Sequence, residues 1–134
     1  MIFNEKYRDI MKSKKDLENE LGKDFCIEND IMHNFEIYVT GHFGNCVSFS
    51  LICEKCCPPN LRANTNNIGF IIRFLVDFFD KEDDNSVSIR KSLNEIPIRL
   101  VYDSKESWGG KCIGIGHFMK DRFILIDDLC KLNK

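Results

Sequence analysis

The cysteines are the residues of this chain whose type and spacing first suggest chemistry. Cys53 and Cys56 have the C-x₂-C spacing that supplies half of a tetrahedral zinc site. Two more ligands would complete it, and the candidates are Cys26, His33, His42, Cys46 and Cys112. None of these forms a second C-x₂-C or an H-x₃₋₅-H box. We therefore predict no bound metal or other cofactor, with a zinc site completed by His42 and Cys46 across a hairpin as the alternative.

Thiol and acid–base catalysis need partners that the sequence does not clearly provide. A redox thiol pair works best at the start of a helix, where the helix dipole lowers the thiol pKa, and Pro58-Pro59 excludes a helix there. A nucleophilic thiol could be assembled from Cys112, His117 and Asn133, but such a triple arises easily by chance among seven cysteines. His117 as an acid or base would need Asp121, its nearest carboxylate in sequence. We expect His117 to be a hydrogen-bonded structural residue, and the protein not to be an enzyme.

Glycines alternate with isoleucines in the last third of the chain. Ile113 and Ile115 are expected to point to one side of a strand, together with His117. Gly114 and Gly116 then leave the other face bare, which predicts that a bulky group lies against it.

Apolar periodicity predicts the elements that must position these residues. The expected order is helix, hairpin, helix and three short strands, in a single domain 1–134 with a peripheral helix in 1–22 and a core in 35–127. The predicted elements are a helix Asn4–Leu21 ended by Gly22, hairpin strands through Phe35–Val39 and Val47–Leu51, a polar loop Asn60–Asn67, a helix Ile68–Asp80, strands at Ile98–Tyr102, from Ile113 and at Phe123–Ile126, and a last helix through Leu132 capped by Asp127 or Asp128.

The helix Ile68–Asp80 is apolar around nearly its whole circumference. Only Arg73, Asp77 and Asp80 form a polar stripe on it. Either this chain wraps the helix on two sides, with the N-terminal helix as second cover, or part of it is buried in a homo-oligomer. The predicted class is α+β, a small antiparallel sheet packed on this central helix.

Charge and hydropathy exclude several classes of partner. Formal net charge is −2, with acidic and basic residues nearly balanced, so direct nucleic-acid binding is not expected. The longest apolar run, 68–79, is too short and too polar to cross a membrane, and acidic residues stand where a signal peptide needs an apolar core. We expect a cytoplasmic protein whose cysteines are thiols.

Three segments resemble a family. They are Gly41-His42-Phe43-Gly44, Asn67-Ile68-Gly69-Phe70-Ile71-Ile72-Arg73 and Ile115-Gly116-His117-Phe118-Met119-Lys120-Asp121-Arg122-Phe123. The pattern, over residues 35–127, is similar to that of small uncharacterised accessory proteins of bacteriophages and prophages. The chain departs from it at Cys46, Ser48 and Ser50, in the acidic loop 81–85 and in the N-terminal helix.

The resemblance implies a small protein of a mobile element that acts in the host cytoplasm. Such proteins often antagonise host defence, as anti-CRISPR proteins do, either by binding a defence protein such as a CRISPR effector or by sequestering a signalling nucleotide. The first possibility is our prediction: a non-enzymatic inhibitor that acts by protein–protein contact.

Different residues would serve each function. Partner-binding candidates are the aromatic Phe43 and Trp108 and the acidic run Glu82, Asp83 and Asp84, which would imitate phosphate charge. The alternative is that Trp108 caps the core and the acidic run is a solvated loop. A nucleotide would use Arg73, Arg99, Lys111 or Lys120 for phosphate, with Phe43 or Trp108 stacked on the base. A zinc- or thiol-dependent enzyme is the third hypothesis.

Overall fold

The computed structural model describes residues 9–40, 46–55, 58, 61–64, 68–80 and 93–131. Its elements, in chain order, are α1 (Lys14–Leu21), β1 (Cys26–Thr40), β2 (Cys46–Cys53), β3 (Leu61–Asn64), α2 (Ile68–Phe78), β4 (Ile96–Tyr102), a 3₁₀ turn (Ser107–Gly109), β5 (Cys112–His117), β6 (Phe123–Leu125) and α3 (Ile126–Lys131). This content of helices and strands confirms the α+β class.

Within the described ranges, the strands form one antiparallel sheet of six, in the order β3-β2-β1-β4-β5-β6. The long strand β1 lies at its centre. Its first half, Cys26–Met32, pairs with β4, and its second half, Met32–Thr40, pairs with β2. An irregularity between Met32 and Asn34 separates the two halves.

The sheet buries side chains on both faces. The larger cluster contains alternate residues of β4 (Ile96, Ile98, Leu100 and Tyr102) together with side chains of β1, β2, β5, α2 and α3. The smaller cluster contains Leu17 of α1 with Val101, Phe123 and Leu125. Leu17 is the buried residue of α1, so this helix touches the protein along a thin stripe, as predicted for a peripheral helix.

The predicted hairpin is confirmed, since Phe35–Val39 pairs with Val47–Leu51. Two strand boundaries were wrong. β1 begins at Cys26, well before Phe35, because tertiary contacts support polar residues that favour loops. The predicted loop Asn60–Asn67 contains β3, a short edge strand.

Of the predicted helix Asn4–Leu21, residues 4–8 lie outside the described part of the chain, and the described helix α1 covers Lys14–Leu21. It begins at Lys14, because Ser13 and Asp16 form a capping box in which each side chain accepts a hydrogen bond from the other's backbone N–H. Lys12, just before the cap, forms an antiparallel bridge to Phe123. The prediction that Gly22 ends the helix is confirmed, since its φ is 76°.

The central helix is buried almost all round, as predicted. Its buried side chains are Ile71, Phe74, Leu75, Val76 and Phe78, followed by Phe79. The suggestion that α1 supplies the second cover was wrong, because Leu17 belongs to the opposite cluster. Leu93 and the α3 residues Ile126 and Leu129 join the cluster instead, with Ile10 and Met11 packed against it. The helix ends at Phe78, two residues early, and Asp80 has a φ of 54°.

Strand β5 confirms one prediction and corrects another. The ring of Phe123 lies against Gly116, and Leu125 and Val101 lie against Gly114, so the bare glycine face is covered as predicted. Ile113 does not share a face with Ile115, because a register shift between Val101 and Tyr102 turns Ile113 toward the smaller cluster.

The C-terminal helix begins one residue before its predicted cap. Asp127 and Asp128 lie inside its first turn, where their negative charges interact favourably with the positive end of the helix dipole. No helix in the described part of the chain is both long enough and apolar enough to cross a membrane.

Candidate functional site

The turn between β5 and β6 is organised by His117. Its Nδ1 accepts hydrogen bonds from the backbone N–H groups of Met119 and Lys120, both at 3.0 Å. Its Nε2 lies 3.1 Å from a carboxylate oxygen of Asp80. Two donors on Nδ1 fix the proton on Nε2, so the neutral ring donates to Asp80.

The electrostatics agree with a neutral His117. Burial lowers the pKa of His117, and the positive charges of Arg122 and Lys120 lower it further, against the opposing effect of Asp80. His117 is thus the hydrogen-bonded structural residue that the sequence predicts. Its carboxylate partner is Asp80 rather than Asp121, which accepts a hydrogen bond from the Lys14 backbone N–H at 2.6 Å.

Asp80 is the centre of a charged cluster. Besides His117, it pairs with Lys120 and with Arg122, whose Nη1 is 3.3 Å from it. Burial raises the pKa of Asp80, but hydrogen bonds and charge from Lys120 and Arg122 outweigh that effect and leave the pKa lowered. Arg122 Nη1 also donates to the Phe78 carbonyl at 2.7 Å, which satisfies the C-terminus of α2.

Arg99 holds the same turn from the sheet. Its Nε donates to the His117 carbonyl at 2.6 Å, and its Nη2 donates to the Lys120 carbonyl. Its guanidinium carbon lies 4.6 Å from the centre of the Phe123 ring, within cation–π range. These contacts make Arg99 a part of the scaffold.

An exposed apolar surface lies around this turn. We call it the apolar tip: Ile31, Pro97, Phe118 and Met119. Ile31 and Pro97 are opposite each other on β1 and β4, and Pro97 shares a shallow cleft with Phe118 and Met119. Ile31 is 38% exposed, Phe118 41% and Met119 82%. This surface was not predicted from the sequence, although Phe118 and Met119 are two adjacent apolar residues inside a polar turn.

Trp108 stands at the other end of β5, in the 3₁₀ turn, and is 87% exposed. The alternative that it caps the core is therefore wrong. Its backbone is held firmly: the N–H groups of Gly109 and Gly110 donate to the Glu106 and Ser107 carbonyls, and Ser104 Oγ bonds both the N–H and the carbonyl of Glu106.

A cleft of about 310 Å³ adjoins Trp108. It is lined by Glu28, Lys55, Tyr102, Ser107, Trp108 and Gly110. Glu28 is half-buried on β1, while Lys55 is exposed just after β2 and donates to the Asn29 carbonyl at 3.3 Å.

The proposed phosphate ligands are spread over the fold. Lys111 and Lys120 lie beyond opposite ends of β5, a strand of six residues that spans roughly 20 Å. Arg73 is exposed on α2. Arg99 and Lys120 come together, but both serve the turn. Of the predicted partner-binding residues, Phe43, Glu82, Asp83 and Asp84 lie outside the described residues.

A second polar cluster surrounds the exit from β2. The buried Asp30 accepts hydrogen bonds from the backbone N–H groups of Glu54 (3.0 Å) and Lys55 (3.2 Å). Nearby, His33 Nδ1 lies 2.9 Å from a carboxylate oxygen of Glu95, and this hydrogen bond is the main cause that raises the pKa of His33. This arrangement could not be predicted from local sequence, because its members are far apart along the chain.

Cys53 and Cys112 are buried. Burial raises the pKa of the Cys26 thiol, and Glu28 and Glu106 add to the effect, so this thiol is protonated at neutral pH. Within the described ranges, no three histidine, cysteine or carboxylate side chains form a group able to hold a metal ion. Cys56 and His42 lie outside those ranges, so the metal prediction stays a prediction.

Comparison of the chain with protein-family models, with curated proteins and with solved structures finds no match.

Proposed function

We propose that this protein is a non-enzymatic binding protein that inhibits another protein by direct contact through the apolar tip. The observation that supports this is the exposure of Phe118 and Met119 on a turn whose conformation is fixed. Large apolar side chains exposed together mark surfaces that other molecules cover.

The turn is preorganised, which matters for affinity. The backbone N–H groups of Met119 and Lys120 donate to the His117 ring, and Arg99 donates to the His117 and Lys120 carbonyls. The backbone N–H of His117 donates to the Arg122 carbonyl at 2.9 Å. A partner that covers Phe118 and Met119 therefore orders side chains without having to order the backbone.

The surroundings of the apolar tip fit a protein interface. Lys120, Arg122 and Asp80 form a charged rim beside it, and an apolar centre with a polar rim is the usual anatomy of such interfaces. We also infer that α2 packs on the sheet face opposite Pro97, because its buried side chains share a cluster with Ile96 and Ile98. This packing supports the tip from beneath.

For the partner, we propose a host defence protein such as a CRISPR effector, in a bacterial cytoplasm. The support is the resemblance to phage accessory proteins. The acidic run Glu82–Asp84 keeps its proposed role as a phosphate mimic, and it follows the charged cluster of Asp80 directly in sequence. The nucleotide-sequestering alternative loses support at two of its four proposed cations, because Arg99 and Lys120 are engaged in the turn.

The test begins with capture of the tagged protein and its partners from phage-infected host cells. The wild type is compared with a Phe118→Ser/Met119→Ser variant and with a matched control, Lys15→Ser, on the exposed side of α1. The captured protein is then purified, and its activity is measured with increasing amounts of each variant.

We expect inhibition that saturates near one chain per partner for the wild type and for Lys15→Ser, with loss of at least tenfold in potency for the double variant. Removal of two interface anchors at about 1–2 kcal/mol each accounts for a change of that size. If the double variant inhibits as well as the wild type while its melting temperature is unchanged, the apolar tip is not the inhibitory surface.

A further inference from the structure

The cleft beside Trp108 combines features that recognise a particular class of small molecule. It is independent of the apolar tip, because the two lie at opposite ends of β5. We propose that this cleft binds a nucleoside phosphate, with the base stacked on Trp108, the exocyclic amine of the base on Glu28 and the phosphate on Lys55.

The aromatic wall is the first argument. The indole of Trp108 is 87% exposed on a turn whose backbone is hydrogen-bonded, so it presents a flat apolar face to water. A planar aromatic ring covers such a face, and stacking of a base on an aromatic side chain contributes about 1–3 kcal/mol. Tyr102, which is 6% exposed, forms part of the same wall from within the sheet.

The charges are the second argument. Lys55 and Glu28 line the cleft together, so its occupant should carry both an anionic group and a hydrogen-bond donor. A neutral sugar would leave Lys55 without an anion, and a simple anion would leave the indole in water. A nucleotide with an exocyclic amine satisfies all three side chains.

The placement of Lys55 is the third argument. Asp30 holds the backbone N–H of Lys55, and the Asn29 carbonyl accepts from its Nζ. The backbone of Lys55 is therefore anchored to β1, and its ammonium group lies beside that strand at the rim of the cleft. The volume of about 310 Å³ lies at the small end of the usual range of ligand sites, which suits a mononucleotide.

Binding in this cleft can be followed by tryptophan fluorescence, because Trp108 is the only tryptophan of the chain. We would titrate the protein with AMP, adenosine, purine riboside monophosphate, inorganic phosphate and a short oligoadenylate, and follow indole emission. Iodide quenching would be measured in parallel, since an 87% exposed indole is accessible to iodide until a base covers it.

For the wild type we expect saturable quenching by AMP and protection of the indole from iodide, with no response to inorganic phosphate alone. Lys55→Gln should raise the dissociation constant of AMP about five- to tenfold and leave that of adenosine unchanged, because a charge-assisted contact is lost. Glu28→Val should weaken the binding of AMP but not that of purine riboside monophosphate, because the latter lacks the exocyclic amine. Lys105→Gln, an exposed lysine paired with Asp24, is the matched control and should change nothing.

AMP and oligoadenylate distinguish a free nucleotide from the end of a nucleic acid. Saturable binding of either at Trp108 supports the site, and tighter binding of AMP identifies the free nucleotide. The proposal is overturned if the wild type shows neither saturable quenching nor iodide protection with both ligands. It is equally overturned if Lys55→Gln and Lys105→Gln raise the dissociation constant of AMP to the same extent.

Discussion

Gly116 gives the sharpest test of the way the sheet is packed. A methyl group at this position would lie 2.4 and 2.5 Å from two carbons of the Phe123 ring, whereas ordinary contacts are 3.4–4 Å. The ring would have to retreat by about 1 Å to reach an ordinary contact distance. Phe123 is completely buried and stacks on Arg99, so it has little freedom to move.

Gly116→Ala should therefore destabilise the protein, although alanine is better than glycine in most strands. Overpacking of a core typically costs about 1–3 kcal/mol, which exceeds the gain of less than about 1 kcal/mol from backbone propensity. The melting temperature should fall by roughly 3–5 °C for each kcal/mol in a chain of this size. Thermal unfolding followed by circular dichroism measures the change.

Gly69→Ala is the matched control. Gly69 lies exposed in α2 with no heavy atom within 4 Å of the added methyl group, so the same substitution should stabilise by about 0.5–1 kcal/mol. A double-mutant cycle with Phe123→Leu should show that the cost of Gly116→Ala falls when the ring is absent. A Gly116→Ala protein that melts at or above the wild-type temperature would refute the close contact with Phe123.

Two further predictions concern the core and the histidines. Phe74→Ala or Leu75→Ala should each cost about 2–5 kcal/mol in urea unfolding, because both side chains are almost completely buried in α2; no shift for either would contradict that burial. The raised pKa of His33 means that its bond to Glu95 stabilises the protein below the ordinary pKa of 6.5 and is lost as the pH rises through the folded-state value, so His33→Gln should remove a fall in stability toward alkaline pH. The lowered pKa of His117 has the opposite sign: its contribution is present above 6.5 and is lost on acidification, and His117→Asn should remove that loss while its side-chain oxygen keeps the turn. Both effects can be measured as the dependence of melting temperature on pH between about 5 and 8, the range in which histidines titrate. If the two variants showed the same pH dependence, the opposite pKa shifts assigned to His33 and His117 would be wrong.

The parts of the fold that were predictable have strong local patterns. Ile68–Phe78 is apolar except at Gly69, Arg73 and Asp77, and Phe35–Val39 alternates strictly, so the sequence alone predicts a helix and a strand there. The first half of β1 was not predictable, because Asn29 and Asp30 disfavour strands. Asp30 is tolerated there since it accepts hydrogen bonds from Glu54 and Lys55, residues that only the tertiary fold brings near.

The candidate sites show the same division. Exposure of Trp108 was one of two alternatives that the sequence left open, whereas a structural role for His117 was predicted. The partner of His117 could not be found locally, because Asp80 is separated from it by the whole of β4 and β5. Arg99 was a candidate phosphate ligand in the sequence. In the structure its guanidinium group donates to two backbone carbonyls and lies on the Phe123 ring.

The bridge between Lys12 and Phe123 has a consequence for solubility. β6 is the last strand of the sheet, and Lys12 exchanges two backbone hydrogen bonds of 2.8 Å with it. The Lys12 ammonium is itself fixed by Glu20 at 2.7 Å. The segment before α1 therefore shields the outer edge of the sheet from other chains, because an unpaired edge is a template for intermolecular strand addition. Deletion through Lys12 should increase aggregation by exposing this edge, and it also removes Ile10 and Met11, which pack against the larger cluster.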